Sequence, residues 1–222
     1  MLFIENVLNQ EELDTIISYL EKAEFVDGKV TAGWYAKEVK NNQQVSAEES
    51  FLKKIRSIVL QALQRNSLFQ AAVRPRKIRP ILFSRYEPGM SYGMHTDNAL
   101  MGKEEKTRSD VSLTLFLNTA SSYTGGELVV DTDWGEKLVK LDAGSMVVYP
   151  SSQLHRVETV TSGVRLAAVT WVQSWVRSLE EREILFELET VRQSMYEKYG
   201  RTQEFDILSK THANLLRKWV ES

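Results

Sequence analysis

The chain has 222 residues, 42% hydrophobic and 26% charged, with a formal net charge of −2. That composition suits a globular protein with a full apolar core, and it carries no basic excess to hold a polyanion, so no nucleic-acid partner is expected. The absence of cysteine excludes disulfides, thiolate zinc sites, iron–sulfur clusters and a cysteine nucleophile. MLFIENVLNQEELD at the amino terminus has neither the basic nor the apolar region of a signal peptide, and no window reaches the run of about 18 apolar residues that spans a bilayer. A cytoplasmic protein with no membrane partner is expected.

Residues 1–76 read as a short strand followed by helices. Asn9 and Glu12 form a capping box ahead of Leu13, Ile16, Ile17 and Leu20, which recur at helical spacing. Residues 25–45 are rich in turn signals, with a strand expected near Trp34. Ser46 and Glu49 open a longer helix whose buried stripe is Phe51, Leu52, Ile55, Ile58, Val59, Ala62 and Leu63. Lys53, Lys54, Arg56 and Arg65 form its solvated face.

From Lys77 to Arg177 the hydrophobic period changes from 3.6 to 2. KIRPILFSRY reads as a strand with Pro80 at an edge or bulge, and Glu87–Met90 as a turn. Residues 99–109 are polar and without periodicity, a mobile loop beside the next strand. Val111, Leu113, Leu115 and Leu117 then alternate with Ser112, Thr114, Phe116 and Asn118, which predicts a half-buried strand. GELVVD, KLVKL, SMVVYP, QLHRVETV and VRLAAVTWVQSWV follow, separated by turns at Gly125-Gly126, residues 131–136, Gly144 and Ser162-Gly163. Roughly eight short strands at this spacing predict an all-β sandwich, jelly roll or barrel. Residues 178–222 return to a helical pattern, with Ser178 and Glu181 at one start, Gly200 at its end and a last helix over about 204–219. This tail packs on the barrel or mediates a homodimer.

Chemistry concentrates in RYEPGMSYGMHTDN, residues 85–98. His95 and Asp97 are two apart, so on an extended strand both project from one face. A His-x-Asp alone is most often a surface pair, but the chain has only three histidines, and His212 falls in the helical tail as a surface or packing residue. That leaves His155 as a third ligand, and two imidazoles with one carboxylate are the facial set of non-haem Fe(II) sites. Arg165, ten residues beyond His155, alternates with Ala167, Val169 and Trp171. If 153–160 and 164–171 are adjacent antiparallel strands, His155 and Arg165 both face inward. A buried guanidinium needs an anion, either a protein carboxylate or a ligand carboxylate gripped by its fork.

The order His95, Asp97, His155, Arg165, together with RYEPGMSYGMHTDNALM, TGGELVV, AGSMVVYPSSQLHRVETVTSGVR and AAVTWVQSWVR, resembles the Fe(II)/2-oxoglutarate-dependent dioxygenases. Within them it is similar to the prolyl 4-hydroxylase-like branch and its bacterial PKHD-type hydroxylases. The resemblance implies a double-stranded β-helix (jelly-roll) core over 77–177, with N-terminal helices packed on its sheet and a C-terminal helical extension. It also implies Fe(II) bound by His95, Asp97 and His155, 2-oxoglutarate clamped by Arg165, and a hydroxyl from Tyr86 to the same carboxylate. O₂, an acceptor that is a peptidyl prolyl or lysyl residue or a small molecule, and L-ascorbate as reductant belong to the same expectation. Gly125 and Gly126 are turn and packing residues, and Asn118 and Trp171 are placed in the core or behind the cosubstrate. The rival is a non-enzymatic iron and 2-oxoglutarate sensor on the same fold.

Overall fold

A computed structural model describes residues 1–47, 50–102 and 104–221. Helix α1 (Gln10–Leu20) opens on the expected capping box, with Asn9 accepting from the Glu12 backbone N–H and the Glu12 carboxylate accepting from that of Asn9. Its buried face is Leu13, Ile16 and Leu20. The turn-rich segment forms three short strands, Phe25–Asp27, Lys40–Asn41 and Gln43–Val45, and the single-turn helix α2 (Ala36–Val39). The strand expected near Trp34 is absent. Trp34 lies in the turn before α2 with 83% of its surface exposed, so its β propensity finds no neighbouring strand to pack on.

Helix α3 (Leu52–Arg65) begins later than expected. Glu49 lies outside the described residues, and Phe51 is the capping residue. Its buried face is Leu52, Ile55, Val59, Ala62 and Leu63. Two side chains expected on its solvated face are structural ties: Arg56 donates to the Ile81 carbonyl at 2.8 Å, and Arg65 pairs with Glu12 of α1. Helix α4 (Ser67–Val73) follows at once, capped by Asn66.

Two antiparallel sheets face each other. The larger runs in the order Leu2–Ile4, Met146–Pro150, Val111–Phe116, Arg165–Ser174, Leu82–Tyr86, Gln43–Val45, Phe25–Asp27, with Pro75–Ile78 also paired to Arg165–Ser174. The smaller runs Gly135–Val139, Leu128–Thr132, His155–Val157, Ser91–His95, Lys40–Asn41. Pro80 separates Pro75–Ile78 from Leu82–Tyr86, two strands that both pair with the one long strand, so the expected single strand is two.

The larger sheet is buried on both faces, which corrects the half-buried reading of Val111–Phe116. Val111, Leu113 and Leu115 join Ile16, Ile55, Val59 and Phe69 in a core beneath the helices, while Phe116, Val147 and Tyr149 join Leu128, Val130 and Val157 in a second core between the sheets. The polar alternates Ser112 and Thr114 are also buried, because they face a cavity between the sheets and not solvent. Residues 99–109 are likewise not structureless: Leu100–Met101 and Thr107–Arg108 pair as a small hairpin on the rim of that cavity, although Lys103 lies outside the described residues.

The tail is two helices, α5 (Leu179–Tyr199), capped by Ser178 and ended by Gly200, and α6 (Gln203–Trp219). Helix α5 packs against α4 and α6. A bridge between Val176 and Val220 and the Glu221 N–H bond to the Trp175 carbonyl fasten the end of α6 beside the end of the long strand. His212 is buried, not on the surface, and its ring nitrogen accepts from Arg74 at 3.0 Å. Among the described residues no helix is long and apolar enough to cross a membrane.

Leu185 of α5 is wholly buried. Leu185→Ala is expected to lower the unfolding free energy by about 2–5 kcal/mol within one denaturant transition. A separate early loss of helical circular dichroism in this variant would show instead that the tail unfolds as its own unit.

Candidate active site

His95 and His155 are direct cross-strand partners on neighbouring strands of the smaller sheet, and Asp97 lies two residues past the end of the His95 strand. One ligand atom from each of the three falls within 4.8 Å of the other two, with His155 Nε2 3.6 Å from Asp97 Oδ2. Each imidazole is oriented by its own strand. His95 Nδ1 donates to the Gly93 carbonyl at 2.8 Å and His155 Nδ1 to the Gln153 carbonyl at 3.0 Å. A carbonyl only accepts, so the proton sits on Nδ1 in both rings and each Nε2 keeps its lone pair for a metal. Burial, and then the neighbouring His155, push the His95 pKa downward, which keeps that ring neutral.

Asp97 is held from the other sheet. Its Oδ2 accepts from Ser112 Oγ at 2.5 Å, and Ser112 Oγ is 2.8 Å from Ser151 Oγ. The Tyr92 ring stacks on His95 at 3.7 Å, and Tyr149 meets His155 edge-on at 5.1 Å. Tyr92 and His95 are three apart and would normally face opposite ways. A register irregularity between the strands, three residues against two, turns both rings to one side. Gly93 at this irregularity is needed for closeness: a Cβ there would lie 2.8 Å from Val39 Cβ of α2.

Arg165 is 1% exposed, with the rings of Tyr86 and Phe116 at 5.0 and 5.5 Å. Among the described residues its Nε has no hydrogen-bond partner and it forms no ion pair, while the Tyr123 hydroxyl lies close beside the guanidinium. The side chain is nevertheless fixed in place. Asn118 brackets it, donating to the Val164 carbonyl at 2.6 Å and accepting from the Leu166 N–H at 2.9 Å. Gly126, at φ +67°, leaves room for its stem, since a Cβ there would lie 3.1 Å from Arg165 Cδ. Burial raises the pKa of Tyr86 and of Tyr123, so both hydroxyls stay protonated donors.

The His–Asp–His cluster, Arg165 and Tyr86 share one cavity of about 510 Å³ between the sheets. His155 and Arg165 do not sit on neighbouring strands, as the turn at Ser162-Gly163 suggested. His155 belongs to the smaller sheet and Arg165 to the larger, because the chain crosses between sheets there, with Ser162–Gly163 pairing Tyr123–Thr124. Both still point inward, from opposite walls. Trp171 lines the cavity, and Asn118 acts on the Arg165 backbone.

Several residues in or beside the cavity carry no site signal in the sequence. Tyr123 was hidden in a turn motif, and Ser112 was counted on an outer polar face. Tyr92 lies three residues ahead of His95 with nothing in the sequence to mark it as a site residue. Lys40 carried no signal at all. It is 5% exposed, donates to Thr31 Oγ1 at 3.0 Å and lies over the Tyr92 ring at 5.1 Å. Burial pushes its pKa down to about 8, against the opposing pull of Asp97.

Residues 81–173 match the model of the 2OG-Fe(II) oxygenase superfamily. A PKHD-type hydroxylase of Rippkaea orientalis is 58% identical over 99% of both chains, and one of Thermosynechococcus vestitus is 59% identical over 100% of this chain and 99% of its own. Among solved structures, a prolyl hydroxylase from Trichoplax adhaerens in complex with a hypoxia inducible factor peptide fragment superposes with a TM-score of 0.53 at 16% identity, covering 83% of this chain and 86% of that one. The α-ketoglutarate-dependent carbocyclase SnoK from nogalamycin biosynthesis superposes with 0.55 at 17% identity, covering 79% of each. These two show the shared double-stranded β-helix fold, and the closer relatives, matched end to end, show the family: the chain is a PKHD-type hydroxylase of the Fe(II)- and 2-oxoglutarate-dependent dioxygenase superfamily.

Proposed function

We propose that His95, Asp97 and His155 hold the Fe(II), that Arg165 grips the distal carboxylate of 2-oxoglutarate, and that the Tyr86 hydroxyl donates to the same carboxylate. The observation that carries this reading is the buried, ion-pair-free guanidinium of Arg165 sharing a cavity with the three ligands. A buried charge left without an anion is strongly destabilising, so the fold tolerates Arg165 as a receptor for one. Tyr123 adds a second hydroxyl beside it.

When bound, Fe(II) and 2-oxoglutarate supply oxidative decarboxylation to succinate and CO₂, with the second oxygen atom of O₂ entering the acceptor as a hydroxyl. The chain does the rest. The Gly93 and Gln153 carbonyls fix the two histidine tautomers, and Ser112 fixes the Asp97 carboxylate. Arg165 orients the cosubstrate, and the apolar second core keeps water from the inner end of the cavity. A sensor of iron alone would need no such clamp.

The acceptor is a peptidyl prolyl or lysyl residue or a small molecule, in keeping with the hydroxylases it is similar to. L-Ascorbate serves as reductant on the same family grounds. The cysteine-free composition supports a cytoplasmic setting. Ile184, Val191, Tyr196, Tyr199 and Ile207, exposed on α5 and α6, support a homodimer through the tail.

His95→Ala, Asp97→Ala and His155→Ala are each expected to abolish 2-oxoglutarate-dependent succinate formation and leave the circular dichroism spectrum unchanged. Fe(II) binding at wild-type affinity in His155→Ala would remove it from the ligand set. Ser112→Ala is expected to weaken metal binding by about 10- to 100-fold, the usual cost of losing a group that orients a ligand; competition against a chelator measures it, and an unchanged affinity would confine Ser112 to packing.

The decisive experiment is binding of 2-oxoglutarate to the anaerobic Fe(II) protein, followed by its visible charge-transfer absorption. Arg165→Ala is expected to weaken that binding by about 2–5 kcal/mol, roughly 30- to several-thousand-fold, with Fe(II) affinity nearly unchanged. Arg165→Lys recovers part of it, keeping the charge without the fork. Equal 2-oxoglutarate affinity in wild type and Arg165→Ala would overturn the clamp.

A further inference from the structure

The cosubstrate assignment accounts for only part of the charge in the cavity. Among the described residues its ionisable walls, apart from the tyrosines and the two histidine ligands, are Lys40, Arg79, Lys106 and Arg165 against Asp97 alone. With the cofactors bound, the iron and Arg165 together balance Asp97 and the two carboxylates of 2-oxoglutarate. Lys40, Arg79 and Lys106 are left over.

Lys40 is the telling member of the three. Lys106 is exposed on the rim hairpin and Arg79 half-buried beneath it, where water can solvate charge. Lys40 is buried on the edge strand of the smaller sheet, opposite Tyr92 in the register. Among the described residues the one hydrogen bond its ammonium makes is to the Thr31 hydroxyl, which itself donates to Gln44 Oε1 at 2.7 Å. Among the described residues no carboxylate lies within ion-pair distance of it. Two residues on, the Asn42 side chain is 4% exposed and lines the same cavity, but it lies against the Tyr86 hydroxyl, which serves the cosubstrate in the reading above. Lys40 is thus a buried cation sharing the cavity with His95, Asp97 and His155. An apolar acceptor would leave it desolvated and unanswered; a carboxylate can accept from it.

We propose that the acceptor carries a carboxylate, received by Lys40 on the wall formed by residues 31–44, with Arg79 and Lys106 drawing the anion in at the rim. This rests on the reading of the site given above and adds the substrate's charge to it. Lys40 is a substrate-binding residue in this proposal, distinct from Arg165, which serves the cosubstrate.

The test uses the full chain loaded anaerobically with Zn(II) and 2-oxoglutarate, titrated calorimetrically with paired probes that differ only in charge: N-acetylproline against N-acetylprolinamide, and Nα-acetyl-lysine against its amide. At least one acid is expected to bind tighter than its amide by about tenfold or more, the scale of one desolvated charge-assisted contact. Lys40→Met, which keeps the length of the side chain, is expected to abolish that preference, and Lys40→Arg to retain part of it. Equal affinity for acid and amide in the wild type, including no measurable binding of either, overturns the proposal. A preference that survives Lys40→Met does so as well. So does a Lys40→Met protein whose affinity for 2-oxoglutarate itself falls, since Lys40 would then serve the cosubstrate. The charge-transfer band of the Fe(II) protein reports the cofactor end alone: a missing band strikes the reading of the site, whereas a normal band with no acid preference strikes only the substrate class.

Discussion

Arg165 is the most demanding side chain in this fold. It is the largest of the side chains buried below 2% exposure, it carries a fixed charge, and the described residues offer it no counter-ion. Much of the surrounding structure can be understood as the means of holding it there. Aromatic faces of Tyr86 and Phe116 flank the guanidinium, which is weakly hydrated enough to accept them. Asn118 ties down the backbone on both sides, and a left-handed glycine at 126 clears a channel for the stem. None of these contacts neutralises the charge. They set its position only, and in the function proposed above its neutralisation falls to an incoming carboxylate, for which the side chain is already in shape.

The double burial of the larger sheet follows from the same requirement. A sheet with one wet face could not enclose a cavity. Here α1, α3 and α4 cover one face, and the other closes over the smaller sheet, so each strand must carry two apolar sets in alternation. Val111–Phe116 shows the compromise. Its helix-facing positions are aliphatic, while on its inner face Phe116 sits against Arg165 and Ser112 reaches the carboxylate of Asp97. One strand therefore supports both Arg165 and the His–Asp–His cluster, which lie on opposite walls.

What could be read from the residues divides along the range of the interactions involved. The capping box at Asn9, the starts at Ser178 and the stop at Gly200 are local chemistry and were predicted to the residue. The period of 2 over residues 77–177 marks most of the strands, although Leu2–Ile4, Phe25–Asp27, Lys40–Asn41 and Gln43–Val45 join the two sheets from the N-terminal region, and the short list of histidines points to the His95, Asp97 and His155 cluster. Pairing across the barrel is not local. The hairpin rule put His155 beside Arg165, whereas the chain changes sheets at Ser162-Gly163. Alternation of Ser112 and Thr114 with leucines has the same pattern whether the polar face meets water or a cavity. Lys40 was beyond reach for a related reason: its burial is imposed by Tyr92 and Thr31, which only the folded chain brings to it.

The docking of the tail also bears on the mouth of the cavity. Arg108, on the rim hairpin, is bound at once to Asp110 at 2.6 Å, to Glu221 at 2.7 Å and, more loosely, to the Ser174 carbonyl at 3.5 Å. Glu221 is the segment fastened to Trp175 beyond α6. The hairpin and the tail therefore share a single electrostatic knot, only 20% exposed at the arginine side chain and so poorly screened by salt. Thermodynamic linkage makes this reciprocal: whatever stabilises the docked tail also restrains the rim, and whatever displaces the rim loosens the tail. A partner that gripped α5 and α6 would in this way adjust access to the cavity without approaching it.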